Sequence, residues 1–283
     1  MSNNVVLNSL FSQSSLNKLV DSGSSSTFET CLKRYAIKPD SDTNKSLLRE
    51  VYNYIGKNYR NEYFYKNTIF NKMLLGKYSL NTSSALTELP VHNSKADLII
   101  INGKAIVYEI KTELDSFDRL NTQLADYFKA FPLVYLVTSE SQEEKAQKIL
   151  KDSNVGILIL TKKNSLSERK VAKFDYSILD KRTMFNILRK HEFEHILLEH
   201  IGFLPETSPV FYYRECYYLL DNIDTVSFYN SFIKMLKKRN EVKDTEMIKN
   251  IPYELRSAIY FSKKLQAKYI QLTNFLNEER RSF

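Results

Sequence analysis

The chain has 283 residues, 43% of them hydrophobic, with only 6 Gly and 6 Pro. That length accommodates one large or two modest domains. The scarcity of Gly and Pro excludes a Gly-rich phosphate-loop enzyme and a turn-dense β-sandwich. A formal charge of +8 leans mildly toward an anionic partner such as nucleic acid.

Cys31 and Cys216 stand far apart, so neither a disulfide framework nor a cysteine zinc site is expected. The first residues lack a charged stretch followed by a long apolar run, so no signal peptide is read. No stretch reaches the roughly 18 consecutive apolar residues of a membrane helix. A reducing cytoplasmic setting, with no membrane partner, is the expectation.

Residues 1–44 read as an N-terminal appendage, with a short amphipathic helix over 5–20 and a flexible linker from Ser22 to Ser26. The first segment runs on to Pro39 and Asp40. A helix starts at 41–44, placing Leu47, Leu48, Val51, Tyr54 and Ile55 on one face. A second helical piece begins at Asn67. Between 87 and 160 the period changes. Thr87–Asn93 is a strand, Ala96–Ile101 an apolar strand, and Lys104–Lys111 another, the last two joined by the tight-turn pair Asn102-Gly103. A helix follows with Phe117, Leu120, Leu124, Tyr127, Phe128 and Phe131 at helical spacing, Ser116 near its cap, and Pro132 ending it. Strand, helix and strand over 133–161 complete a β-β-β-α-β-α-β order, which is an α/β layer arrangement. The core spans 45–165, and 166–283 reads as an α-helical C-terminal region.

Asp97 lies five residues before Asn102 and Glu109 six after Gly103, so folding the hairpin brings them together. Glu109 and Lys111, two apart in a strand, share a face. Charges flanking buried apolar runs are costly unless they are paired or bind a metal. Two readings stay open on the residues alone: a solvated strand end with a Glu-Lys ion pair, and a carboxylate platform for a hard cation with a lysine beside it.

The pattern Asp97, eleven residues, then Glu109-Ile110-Lys111 resembles the signature of the PD-(D/E)XK nuclease superfamily, with Ala96 in the place of its Pro. Gln123 and Tyr127 resemble the Q-x-x-x-Y element on the following helix of exonuclease-like branches. Asp115, Asp118, Arg119 and Leu120 fit a branch of small bacterial members with a D…EIK…QxxxY layout. The resemblance covers roughly 85–160. It implies a restriction-endonuclease-like core with a mixed central sheet and metal-dependent hydrolysis of phosphodiester bonds, with DNA as the substrate and Mg2+ or Mn2+ as the cofactor. Asp97 and Glu109 would bind the metal, with the Ile110 carbonyl as a third ligand. Lys111 would position the attacking water, and Gln123 and Tyr127 would brace the site or contact a phosphate. Either Glu50 or Glu88 would add the further acidic ligand. Lys95 and Ala96 precede Asp97 where the branch carries an Arg, a departure that bears on substrate more than on the metal site. Defence against foreign DNA or a mobile-element role suits such a protein. The alternative is a nucleic-acid- or protein-binding module on the same fold that does not cleave.

His191-Glu192-Phe193-Glu194-His195 matches H-E-x-x-H, the zinc-peptidase pattern, with Glu215 as a conceivable third ligand. Against it stand the charge at Glu194 and the flanking Arg189, Lys190, Glu199 and His200, which describe a solvated helix face. The competing structural reading is an amphipathic helix with Phe193, Ile196, Leu197 and Ile201 inward. Late in the chain, Lys234, Lys237, Lys238, Arg239 and Lys243 form a basic cluster with Phe228, Tyr229 and Phe232 interleaved. It is a candidate phosphate-backbone contact, or else a solvated face over an aromatic core stripe.

Overall fold

The computed structural model describes residues 4–37, 42–240 and 244–280. Pro39, Asp40 and Lys243, named above, and position 41, where the helix is expected to begin, lie outside the described residues.

The N-terminal segment is three helices, α1 (Val5–Leu10), α2 (Gln13–Ser22) and α3 (Ser26–Tyr35). The helix expected over 5–20 is broken at Ser12, whose hydroxyl accepts from the Ser15 N–H and caps α2. The serine-rich run after it is not a flexible linker. Gly23 closes α2 in the left-handed conformation, φ 70°, and Ser25 accepts from the Phe28 N–H to open α3. The composition that resembles a spacer is a pair of helix caps.

Thr43 caps α4 (Asn44–Asn58), which buries Leu47, Leu48, Val51 and Ile55 as its periodicity requires. Asn61 accepts from the Phe64 N–H and opens α5 (Glu62–Ile69), five residues ahead of the expected start. The chain then continues as a π-helical stretch, Phe70–Lys77.

Six strands follow: β1 (Ser84–Val91), β2 (Ser94–Asn102) and β3 (Lys104–Ile110), then α6 (Leu120–Phe128), β4 (Val134–Ser139), α7 (Glu143–Ile149), β5 (Gly156–Leu160) and β6 (Leu166–Lys170). They form one mixed sheet in the order β1-β2-β3-β4-β5-β6. The first three are antiparallel, β3 to β5 parallel, and β6 antiparallel to β5. Gly103 sits at the β2–β3 tip with φ 67°, where only a residue without Cβ is unstrained. β6 has no counterpart in the expected pattern because its sequence, Leu-Ser-Glu-Arg-Lys, carries almost no apolar alternation.

Side chains alternate along β3, β5 and the Leu98–Ile101 part of β2. Leu98, Ile100, Tyr108, Ile110, Leu158 and Leu160 enter one core, and Ile99, Ile101, Val107, Leu136, Ile157 and Ile159 the other. Each fully buried aliphatic contributes about 1.5–3 kcal/mol over leaving it in water. The first core is covered by α1 to α5 together with α12 (Thr245–Asn250), α13 (Arg256–Tyr260), α14 (Lys263–Ala267) and α15 (Tyr269–Asn277). The second is covered by α6, α7, α8 (Lys181–Ile187), α9 (Lys190–His200), α10 (Pro209–Leu219) and α11 (Thr225–Lys238). The helices after the sheet therefore divide between its two faces, and the N-terminal helices share a core with the last four. β1 forms one edge. There the Ala85 N–H donates to the Tyr260 hydroxyl (2.9 Å) and its carbonyl accepts from Asn240 Nδ2 (3.0 Å), so part of the edge is closed to further pairing. No helix among the described residues is long and apolar enough to cross a membrane.

Candidate metal centre

The site is built where the sheet breaks its own alternation. Thr87 pairs with Leu98 and Leu89 with Ala96, so Glu88 and Asp97 lie opposite each other on β1 and β2. Glu88 is in the left-handed region, φ 55°, a conformation costing a non-glycine residue about 1–3 kcal/mol. Its effect is visible in the packing. Leu86 and Leu89 face the same core three residues apart, as do Ala96 and Ile99. Both strands shift face at this one step. The Asp97 carbonyl is met by the Thr87 hydroxyl at 2.8 Å.

Glu62, from the first turn of α5, completes a group of three carboxylates. One oxygen from each of Glu62, Glu88 and Asp97 lies within 4.8 Å of the others. Like charges directly opposed across strands are destabilising, and three together call for a cation. Lys66 supplies one: its ammonium is 2.5 Å from Glu62 Oε1 and also binds Glu88, while Lys95 reaches Glu88 at 2.8 Å. Burial pushes the Glu88 carboxyl up, but the hydrogen bonds from Lys66 and Lys95 outweigh it and hold it below the usual range. Asp97 has no such partner. Burial first, then the neighbouring Glu109 carboxylate, push its carboxyl up to about 8, against a smaller opposing effect of the Ile110 N–H. That N–H donates to Asp97 Oδ2 at 2.7 Å.

Glu109 lies one step beyond the Leu98–Tyr108 pair, adjacent to Asp97, and is 1% exposed. Both of its oxygens are engaged. Oε1 is 2.9 Å from Lys111 Nζ, and Oε2 accepts from the Tyr127 hydroxyl at 2.7 Å. Lys111 also donates to Gln123 Oε1 at 2.8 Å, and the Lys95 carbonyl, 2.8 Å from the Tyr127 oxygen, shares that hydroxyl's one proton with Glu109. Gln123 and Tyr127, four apart on α6, thus reach the β3 end through Lys111 and Glu109. Asp115 turns its carboxylate to the Thr112 N–H and hydroxyl, fixing the loop after Lys111.

Of the two further acids weighed from the sequence, Glu88 joins Asp97. Glu50 does not, because its carboxylate accepts from the Ile37 N–H instead. Glu62 lies outside the helix that the sequence pattern starts at Asn67. The usable signal was Asn61 as a cap with an acidic first turn behind it. The three grouped carboxylates offer hard oxygen donors on two strands and a helix, the donor set that Mg2+ or Mn2+ takes. Beside them opens a cleft of about 710 Å3 whose lining includes Glu62, Lys66, Glu88, Tyr59, Phe261 and Gln13.

The second motif has a different geometry. His191 and His195 are exposed on α9, and Glu192 is 3% exposed. The Glu192 carboxylate is taken by Arg239, with Nε at 2.7 Å from Oε1, and by the Arg189 N–H. Glu215 pairs with Arg214. In the basic cluster, Phe228, Tyr229 and Phe232 are core residues. Lys234 is exposed 3.8 Å from Glu199, Lys237 is half-buried, and Lys238 is exposed.

No curated protein and no solved structure matches the chain significantly. A family model does match, over residues 56–262, a span that contains every residue of the carboxylate site and its lysines. The chain belongs to the family described as bacteriophage P4 protein cII.

Proposed function

We propose that this protein is a metal-dependent nuclease, hydrolysing phosphodiester bonds of nucleic acid, with DNA as the favoured substrate. The reading is supported by the likeness of its Asp97, Glu109 and Lys111 to the PD-(D/E)XK signature. The observation that carries it is the grouping of Asp97 with Glu88 and Glu62 beside the Lys111–Glu109 pair. Glu62, Glu88 and Asp97 would hold Mg2+ or Mn2+, with Glu109 behind Asp97. A divalent cation bound there neutralises phosphate charge and acidifies water. Glu109 and Gln123 fix the Lys111 ammonium, which has three N–H donors and spends two on them. The third is left to orient water or shield developing negative charge on the phosphate. Tyr127 holds Glu109 in place from behind. Two buried free thiols, Cys31 and Cys216, suit a reducing cytoplasmic setting.

A second reading, a binding module without cleavage, is favoured by one observation: the Lys66 ammonium already compensates Glu62 and Glu88. Cleavage of plasmid DNA, labelled oligonucleotides and RNA, with Mg2+ or Mn2+ against a chelator, separates the two. Wild-type protein is expected to cleave, and Glu109→Ala and Lys111→Ala are not. Absence of cleavage of any nucleic acid, together with absence of metal binding by calorimetry, would sink the enzyme reading.

A further inference from the structure

We infer that a second cleft, between α9, α11 and α14, binds the phosphodiester backbone of nucleic acid and leads it toward the carboxylates. The cleft has a volume of about 320 Å3 and is lined by Arg189, His191, His195, Lys238, Arg239 and Lys263, with Glu192 and Met235. Its one acid is consumed internally, because Arg239 is bound to Glu192 and to the Ile187 carbonyl. Arg189, Lys238 and Lys263 are exposed and make no ion pair among the described residues, and two exposed imidazoles stand among them. A three-cation excess from two helices and the cap of a third is thus held on one concave surface.

The character of the cations selects the ligand. A pocket for a small anion holds buried donors aimed at a point. Here the one largely covered cation, Arg239, is already satisfied, and the remaining charges sit on long exposed side chains spread along the cleft. That is the arrangement that contacts a repeating polyanion, where each phosphate is met by a point charge and affinity comes from counterion release.

Its placement ties it to the first site. Asn240, next to Arg239, donates to the Ala85 carbonyl on β1. Ala85 is three residues, about 10 Å of strand, from Glu88. Phe261, which lines the carboxylate-side cleft, is two residues from Lys263, which lines the basic one. These two connections place the clefts on neighbouring elements at the covered edge of β1. The His191/His195 pair, which in sequence resembles a zinc motif, is part of this basic wall. The inference adds a substrate track to the nuclease reading and rests on it for what the track serves.

The test is fluorescence anisotropy of full-length protein with labelled single-stranded and duplex DNA in a chelator, across a salt series. The variants are Lys238→Ala/Lys263→Ala and Arg189→Ala, with unchanged thermal melts as the folding control. The double variant is expected to weaken binding at least about tenfold and to lower the slope of log K against log salt by about two. Unchanged affinity and slope would overturn the inference. So would wild-type protein that binds no nucleic acid, or binding abolished by millimolar inorganic phosphate in a manner the variants lack. Binding lost in the double variant without Mg2+-dependent cleavage by wild type leaves this inference standing and removes the nuclease reading. Cleavage by wild type with binding intact in the variants does the reverse.

Discussion

Glu88 and Asp97 face each other across β1 and β2 at the one step where both strands change sides, and Glu88 adopts φ 55° to do so. A backbone cost at a residue whose side chain joins two other carboxylates indicates that position, not stability, is what the conformation serves. Asn enters the left-handed region more readily than Glu. Glu88→Asn is therefore expected to melt at or above the wild-type temperature, yet to bind Mg2+ at least about tenfold more weakly. Differential scanning calorimetry and titration calorimetry read the two effects separately. A variant that loses stability and keeps its metal affinity would make Glu88 a structural residue.

Asp97 carries a second consequence. Its folded carboxyl titrates near 8, far above an unfolded aspartate, because burial and Glu109 oppose its charge. Between about pH 4 and 8 the folded protein thus holds a proton that the unfolded chain releases. Stability of metal-free protein accordingly falls as pH rises through this window, by at most about 1.4 kcal/mol per pH unit. Asp97→Asn flattens the dependence. Divalent metal flattens it too, and its binding at pH 7 releases close to one proton. Melting temperature against pH in chelator, with and without Mg2+, checks both. A wild-type profile that rises between pH 5 and 8 while Asp97→Asn stays flat would contradict the assignment.

What could be read before the structure divides along physical lines. The β2–β3 hairpin was legible because a continuous apolar run, the tight-turn pair Asn102-Gly103 and a second apolar run pair without help from elsewhere. Gln123 and Tyr127, whose spacing of four places them on one helix face, were legible through the resemblance to a Q-x-x-x-Y element. Glu62 was not, because its role depends on α5 packing over the end of the sheet, a contact remote in sequence. The left-handed step at Glu88 has no local marker, since the residue is neither Gly nor Asn. Helical periodicity after residue 180 gives each apolar stripe but not which face of the sheet covers it. The separation of α8 to α11 from α12 to α15 is accordingly a tertiary result.

Lys111, Glu109, Gln123 and Tyr127 form a connected chain of hydrogen bonds, so their substitutions are expected to act unequally and not additively. Lys111→Ala should lower the cleavage rate by about 10²–10⁴ while leaving Mg2+ affinity nearly unchanged, because Lys111 touches none of the three grouped carboxylates. Tyr127→Phe leaves a buried Glu109 oxygen unmet, a loss of about 1–3 kcal/mol in stability. Gln123→Ala should slow cleavage with little change in melting. Adding it to Lys111→Ala should cost little further, since the Gln123 amide oxygen accepts from that ammonium, although its side chain also lies beside the Tyr127 hydroxyl. Single-turnover cleavage rates beside melting curves check the set. Full additivity of the Gln123 and Lys111 effects would mean that Gln123 meets the substrate directly.

The Glu192–Arg239 pair separates the zinc-motif reading of α9 from the structural one. Side-chain exposures of 4% for Glu192 and 10% for Arg239 place this ion pair in the interior. Removing one partner of such a pair strands the other charge, a loss of about 3–5 kcal/mol. Glu192→Ala should therefore lower stability by that order, because Arg239 would keep only the Ile187 carbonyl and the Arg189 N–H would lose its acceptor. His191→Ala and His195→Ala, both on the exposed face, should change stability by less than about 0.5 kcal/mol and leave the bound-metal content of purified protein unaltered. Urea unfolding and elemental analysis give the two readouts. Stoichiometric zinc lost with either histidine would restore the peptidase reading, whereas destabilisation confined to Glu192→Ala identifies the motif as a helix clamp that holds Arg239 at the floor of the basic cleft.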